Sequence, residues 1–171
     1  EKIGLINQLG EWVLRTACEA AASWSSPLKV SVNVSPVQLM NSSLTDTVVT
    51  ILRTTGLDPY RLDLEITESD VFNENTRSLE ILSQLRELGV QISIDDFGTG
   101  YSSLSRLSYF PFDKIKIDRS FVINIPDQKD DLDIVRLIIS MGKSLHMRIV
   151  AEGVETEEQL ESLRNCLLYT S

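Results

Sequence analysis

The sequence is poor in the residues that build thiolate, disulfide and histidine-based sites. It has two cysteines and one histidine, and the cysteines follow neither a metal-site spacing nor a disulfide framework. Such cysteine usage favours a reducing compartment, so we expect a cytoplasmic location. His146 precedes a predicted strand and is interpreted as a packing or surface residue. Cys18 lies in an amphipathic stretch and is expected in the core.

Basic residues and long apolar runs are also scarce. Lys and Arg number 16 against 25 Asp and Glu, which gives a net charge of −9. Because phosphate contacts need a basic surface, an acidic chain is a poor binder of nucleic-acid polymers. No apolar run of about 18 residues and no signal peptide occurs, so no membrane span is predicted, although an anchor elsewhere in a longer protein stays open. Neither a dinucleotide-binding glycine fingerprint nor a Walker-type loop is present.

Short β-branched runs alternate with amphipathic helical patterns along the 171 residues. Five strands are predicted, at 29–33, 61–66, 90–95, 113–118 and 147–152. Strands separated by helices predict right-handed βαβ units and a parallel sheet, either a barrel or an open doubly wound sheet. The first helical pattern places these apolar residues at helical spacing: Leu5, Leu9, Trp12, Val13, Ala17, Ala20 and Trp24.

In each predicted strand the aliphatic residues keep one parity and the polar residues take the other. Since side chains alternate across a strand, one face of the sheet is polar. Its members are Ser31, Asn33, Asp63, Glu65, Ser93, Asp95, Lys116, Asp118 and Glu152. They concentrate at the carboxyl ends of the strands, whereas a barrel interior is normally filled by branched apolar residues. The pattern favours a site there over the alternative, an open sheet whose second face is solvated.

The pair Asp95–Asp96 ends one of these strands and is followed by a glycine-rich turn. Two like charges at ~4 Å repel by about 4 kcal/mol at an effective dielectric of ~20, which favours a nearby cation over a plain solvated turn. Asn33, Glu65 and Glu152 add further oxygen donors, and oxygen-only sites suit Mg²⁺ or Mn²⁺. Two such ions can support phosphoryl transfer. Lys116 would add a fixed positive charge; a buried ion pair is its alternative interpretation.

Five segments together resemble the EAL domain family in order and spacing, over nearly the whole chain. They are 33–35, 64–69, 95–103, 116–122 and 151–156. The resemblance implies a bacterial phosphodiesterase that hydrolyses cyclic di-GMP to 5′-pGpG. It also implies a variant (β/α)8 barrel that uses Mg²⁺ or Mn²⁺, with two ions in the complete domain.

The resemblance also implies a role for individual residues. The implied metal ligands are Asn33, Glu65, Asp95 and Glu152, with Asp96 joining the second metal, and the implied catalytic residues are Lys116, Glu152 and Glu155. Lys116 would orient the hydrolytic water and Glu155 would be a supporting acid. Glu68 would hold the loop that contains the aspartate pair. That loop, 95–103, is linked in the family to dimerisation, so a homodimer is a further expectation. No substrate-binding residue is predicted.

The sequence departs from the family at both ends. The Glu-Ala-Leu motif and the closing strand are absent, so we expect a partial EAL domain over 1–166, an incomplete TIM-type barrel of about five parallel strands, and a non-matching tail at 167–171. The fragment itself is expected to show little or no hydrolysis. GGDEF or sensor domains are expected in the parent protein. The alternatives are a non-catalytic cyclic di-GMP receptor and another metal-dependent barrel hydrolase.

Overall fold

The computed structural model describes residues 5–69, 76–99, 107, 110, 112–125 and 127–168. Within these residues five strands form one parallel sheet in the order β1-β2-β3-β4-β5, with helices between them. The predicted α/β class and its five parallel strands are therefore confirmed. The chain divides into two compact units, one of Glu1–Ile66 with Asp70–Ser93 and one of Thr67–Ser69 with Ile94–Ser171.

The first unit contains the amino-terminal helices and the first strands. Its elements are α1 (Ile6–Ala22), β1 (Val30–Asn33), α2 (Pro36–Leu39), α3 (Leu44–Thr55), a 3-10 turn (Pro59–Arg61), β2 (Leu62–Thr67), α4 (Thr76–Glu87) and the start of β3 (Gln91–Phe97). Strands β1 and β2 run parallel with Val30 opposite Leu62 and Asn33 opposite Glu65. Asn33 and Glu65 therefore lie side by side on adjacent strands.

Helix α1 forms where the sequence predicts it, but it buries a different face. Its buried residues are Leu14, Cys18 and Ala21. Trp12 is 62 % exposed and Leu9 is 54 % exposed, so the apolar spacing that identified the helix does not mark its core side. Small residues let α1 approach its neighbours closely: a Cβ at Gly10 would overlap the Gln38 side chain. The expectation that Cys18 lies in the core is confirmed.

The second unit contains the remaining strands and the carboxyl-terminal helices. Its elements are the end of β3, then β4 (Lys114–Ile117), α5 (Arg119–Ile123), α6 (Lys129–Ser144), β5 (Arg148–Ala151) and α7 (Glu157–Leu168). Strands β4 and β5 run parallel, with Lys116 opposite Val150 and Ile117 opposite Ala151. None of the helices described here is long and apolar enough to cross a membrane.

The aliphatic side chains of the central strands are buried, but Asp63 and Ser93 of the opposite parity are fully buried as well, so burial alone leaves the predicted parity untested. Seven of the aliphatic side chains have no exposed surface: Leu62, Leu64, Ile66, Ile92, Ile94, Ile115 and Ile117. Gly56 closes α3 with a left-handed φ of 71°. At the start of α7, the backbone N–H of Gln159 donates to the Thr156 hydroxyl at 3.2 Å. In return, the side-chain oxygen of Gln159 accepts from the backbone N–H of Thr156 at 3.0 Å.

Candidate metal centre

Strands β3, β4 and β5 of the second unit place three charged side chains together. Nζ of Lys116 lies 2.9 Å from Oδ1 of Asp95 and 2.7 Å from Oε1 of Glu152. The lysine side chain is 12 % exposed and that of Asp95 is 13 % exposed. A charge removed from water must be paired, and here one ammonium group contacts two carboxylates, which leaves the three groups with a net charge of −1. Lys116 therefore forms a buried ion pair, as its alternative interpretation states. Its two partners, Asp95 and Glu152, are predicted metal ligands.

The residue after Asp95 bends the backbone within β3, which continues to Phe97. Asp96 has φ 52°, the left-handed region that aspartate enters more readily than most residues. Its N–H donates to Oδ1 of Asp95 at 3.1 Å, and its carbonyl accepts from the Thr99 hydroxyl at 2.9 Å. Both bonds are local, so the turn directs consecutive carboxylates toward one region although the strand would point them to opposite faces.

Asp118 joins this group through Asp96. Partial burial raises the pKa of Asp96, and the charges of Asp95 and Asp118 raise it further, with a side-chain hydrogen bond between Asp96 and Asp118. The pKa of Asp118 is lowered, chiefly because its carboxylate accepts from the Ser120 hydroxyl. Asp118 also caps α5 by accepting from the Ser120 N–H at 2.8 Å. A positive charge near Asp96 would oppose this rise in its pKa.

These carboxylates meet the geometric requirement for a cation. Asp95, Asp96 and Glu152 each offer an oxygen, and the three oxygens lie within 4.8 Å of one another. The donor set is oxygen only, which is the set that Mg²⁺ and Mn²⁺ prefer. The residues present therefore fit a divalent cation, and the role of each as a ligand remains a prediction.

Glu68 holds the same turn from another segment of the second unit. It is 1 % exposed, and its Oε2 accepts from the Gly98 N–H at 2.8 Å. Gly98 has φ 104°, and a Cβ there would lie 2.7 Å from the Phe121 ring. This hydrogen bond is a direct contact of the kind that the predicted role of Glu68, support of the aspartate loop, requires. Of the predicted dimer loop 95–103, residues 100–103 lie outside the described residues.

Glu155 occupies a different position from the other predicted site residues of this unit. Its side chain is 59 % exposed, and Oε1 lies 2.8 Å from Nη2 of Arg119. Its N–H donates to the buried side chain of Gln159 at 2.7 Å. The structure thus pairs Glu155 with Arg119 rather than with Lys116, and its supporting catalytic role remains a prediction.

The first unit holds the other two predicted ligands, Asn33 and Glu65, at opposing positions of β1 and β2. Glu65 is 7 % exposed, whereas Asn33 is exposed. One level below, Asp63 is fully buried, and its carboxylate accepts from the hydroxyls of Ser93 at 2.5 Å and Ser31 at 3.2 Å. The assignment of Asn33 and Glu65 as metal ligands stays a prediction from the resemblance.

Sequence reasoning assigned no role to Asp118 and overlooked Arg119. Strand parity put Asp118 on the polar face, and an aspartate two residues before a serine at a strand–helix junction is a helix-cap signal that identifies its local role. Its contact with Asp96 depends on the left-handed turn, which no spacing rule indicates. Arg119 had no signal, because its partner lies 36 residues further along the chain.

A parallel α/β fold with an acidic cluster at strand ends describes a class of metal-dependent enzymes, and the comparisons place the chain within one family. The EAL domain model matches residues 1–168, and the chain belongs to that family.

Among curated relatives, an uncharacterized signaling protein of Caulobacter vibrioides is 56 % identical over 164 residues, covering 96 % of this chain and 20 % of its own. The cyclic di-GMP phosphodiesterase NbdA of Pseudomonas aeruginosa is 45 % identical over 168 residues, covering 96 % and 22 %. The solved structure of the PaMucR phosphodiesterase in complex with c-di-GMP is 45 % identical with a TM-score of 0.91, covering 96 % of this chain and 68 % of that one. The chain thus spans about a fifth of these two curated relatives.

Proposed function

We propose that this chain is the cation-binding part of a phosphodiesterase that hydrolyses cyclic di-GMP to 5′-pGpG with Mg²⁺ or Mn²⁺. The observation that carries the proposal is the cluster of Asp95, Asp96 and Glu152 around Lys116, found in a member of the EAL family. The names of NbdA and of the MucR complex supply the substrate.

The reaction requires a water to attack phosphorus, a phosphorus–oxygen bond of the ring to break, and a proton to reach the leaving oxygen. Bound divalent cations would lower the pKa of that water and neutralise charge on the phosphate. Asp95, Asp96 and Glu152 would hold the cations, together with Asn33 and Glu65 by resemblance to the family. Lys116 is held in place by two carboxylates and would orient the water.

The proposal extends to the setting of the domain. A cytoplasmic location, GGDEF or sensor domains in a longer parent protein, and a homodimer through loop 95–103 all belong to it. The MucR relative is named as a bifunctional diguanylate cyclase and phosphodiesterase, which supports the partner domain. The dimer rests on the family resemblance alone.

The test is an assay of cyclic di-GMP hydrolysis by the natural full-length protein with Mg²⁺ or Mn²⁺, with Asp95→Ala as the matched inactive variant. We expect 5′-pGpG from the wild type and none from the variant. Binding of cyclic di-GMP without turnover would overturn the proposal and favour the receptor alternative. The 171-residue chain, assayed in parallel, is expected to show little or no turnover.

A further inference from the structure

The segment that follows Glu152 is held by a short helix of the second unit. Arg119 begins α5, and its Nη2 lies 2.8 Å from the Glu155 carboxylate. Ile123 ends the same helix, and its carbonyl accepts from Nε2 of Gln159 at 3.3 Å. Gln159 is 5 % exposed. The loop that carries the predicted ligand is therefore fixed to both ends of α5.

Gly153, the residue directly after Glu152, lies against the side chain of Arg119. Gly153 has a left-handed φ of 69°, and a Cβ there would lie 2.3 Å from Cγ and 2.8 Å from Cδ of Arg119. The arginine stem thus occupies the space that any other residue at 153 would need. Arginine often covers a surface with its stem while its charged head stays in water, and here both parts contact the same loop.

We propose that Arg119 is a positioning residue for Glu152. Its stem packs on Gly153 and its guanidinium holds Glu155, and together these contacts fix the backbone from which the Glu152 carboxylate reaches the cation cluster. Arg119 acts through the loop and contacts neither the cation nor Lys116. The inference rests on the proposed function for its cation, and the experiment below separates the two.

The measurement is the dissociation constant for Mn²⁺, by electron paramagnetic resonance of the 171-residue chain, with thermal unfolding followed in parallel. Because residues that orient a metal ligand typically change affinity by 10–100-fold when removed, we expect Arg119→Ala to weaken Mn²⁺ binding about tenfold. Arg119→Lys keeps most of the stem and is expected to stay within about threefold of the wild type on the same reasoning. The control is Arg15→Ala, which breaks an exposed ion pair of 3.1 Å in α1 and should leave Mn²⁺ binding unchanged.

Alanine variants of two glycines with nearly equal φ distinguish the effect of backbone strain from the effect of the arginine contact. Gly56 has φ 71° with nothing within 4 Å of a Cβ, whereas Gly153 has φ 69° with the arginine stem in that space. Gly153→Ala should weaken Mn²⁺ binding more than Arg119→Ala does, and Gly56→Ala should not weaken it at all. In the double variant, removal of the arginine stem should recover affinity toward that of Arg119→Ala alone.

A cycle that needs no metal keeps the test independent of the proposed function. If Arg119 positions Glu152 against Lys116, the unfolding equilibrium constants of Arg119→Ala and Glu152→Gln should combine with at least about a threefold departure from the product of the single effects, the size expected for coupled neighbours. Absence of Mn²⁺ binding by the wild-type chain contradicts the proposed function while the cycle still decides the role of Arg119. A departure of less than about threefold from the product of the single effects overturns the positioning role. An Arg119→Ala variant that loses stability yet binds Mn²⁺ as the wild type does also overturns it.

Discussion

The two units bury a strand aspartate in different ways. In the first unit, Asp63 is fully buried and its two oxygens accept from the hydroxyls of Ser31 and Ser93. In the second unit, Asp95 is balanced by the ammonium group of Lys116, which also pairs with Glu152. Hydroxyl donors satisfy a carboxylate without changing the local charge. In the second unit, Lys116 offsets only part of the negative charge of Asp95, Asp96 and Glu152, so this cluster still attracts a cation. The comparison therefore separates a structural acid from the acids of a site.

The largest expected effect tests the site side of the comparison. Asp95→Ala and Glu65→Ala should each abolish cyclic di-GMP hydrolysis by the full-length protein, because each is expected to remove a ligand of the cations. The measurement is the rate of 5′-pGpG formation at saturating Mn²⁺. Unchanged activity of either variant would contradict its assignment as a ligand, and wild-type-like unfolding of both would show that the loss is chemical.

The structural side is tested by removing Asp63. Asp63→Ala should cost about 1–3 kcal/mol in the free energy of unfolding, because the buried Ser93 hydroxyl loses its acceptor, as does the exposed Ser31 hydroxyl. Urea unfolding of the variant measures the cost. Mn²⁺ binding by the second unit should persist in this variant, and its loss would contradict the division into structural and site acids.

Glu68 offers an intermediate case, since it is buried like Asp63 but supports the turn of the site. Glu68→Ala should cost about 1–3 kcal/mol, because the Gly98 N–H loses a charged acceptor. Glu68→Gln keeps a side-chain oxygen of the same reach and should recover part of this stability and part of the Mn²⁺ affinity. Equal effects of the two variants on urea unfolding and Mn²⁺ binding would contradict the hydrogen bond as the cause.

The two cysteines report on each unit separately. Burial raises the pKa of Cys18 in the first unit to about 11 and also raises the pKa of Cys166 in the second. Both thiols should react slowly with Ellman's reagent at pH 8 and rapidly in denaturant. A pKa raised in the folded state means that the stabilising effect of the thiol form is complete below the ordinary value of 9.0 and falls as pH rises toward about 11.

The smallest effect on the free energy of unfolding is expected at Asn33, which is exposed although it lies opposite the buried Glu65. Asn33→Ala should change the free energy of unfolding by less than about 0.5 kcal/mol, the range of ordinary surface positions. A large loss of hydrolysis with unchanged urea unfolding is the result expected if Asn33 is a ligand. A large loss of stability would show instead that the amide is structural.

Strand parity predicted from the sequence both the buried aliphatic face and the polar face that includes Asp95, Lys116 and Glu152, because alternation in a strand is local. The sequence pattern did not predict which face of α1 is buried. Helical spacing identifies an apolar stripe, but the elements that pack against the helix decide which side is buried. In α1, Leu14 and Cys18 are buried and Trp12 is exposed. The sequence pattern also could not predict that Glu155 pairs with Arg119, since that contact joins segments distant in the chain. The roles of Glu68 and Glu155 came from family resemblance and from no physical rule.

Strand β3 imposes a constraint on how the gene can change. Ser93 supports Asp63 and Asp95 pairs with Lys116, and both side chains depend on the alternation that buries Ile92 and Ile94. Loss of a single codon within β3 would shift the register by one and exchange the two faces. Isoleucines would then take the polar positions and the acid would enter the aliphatic layer. Natural variants of this segment should accordingly differ by substitution and keep a constant length.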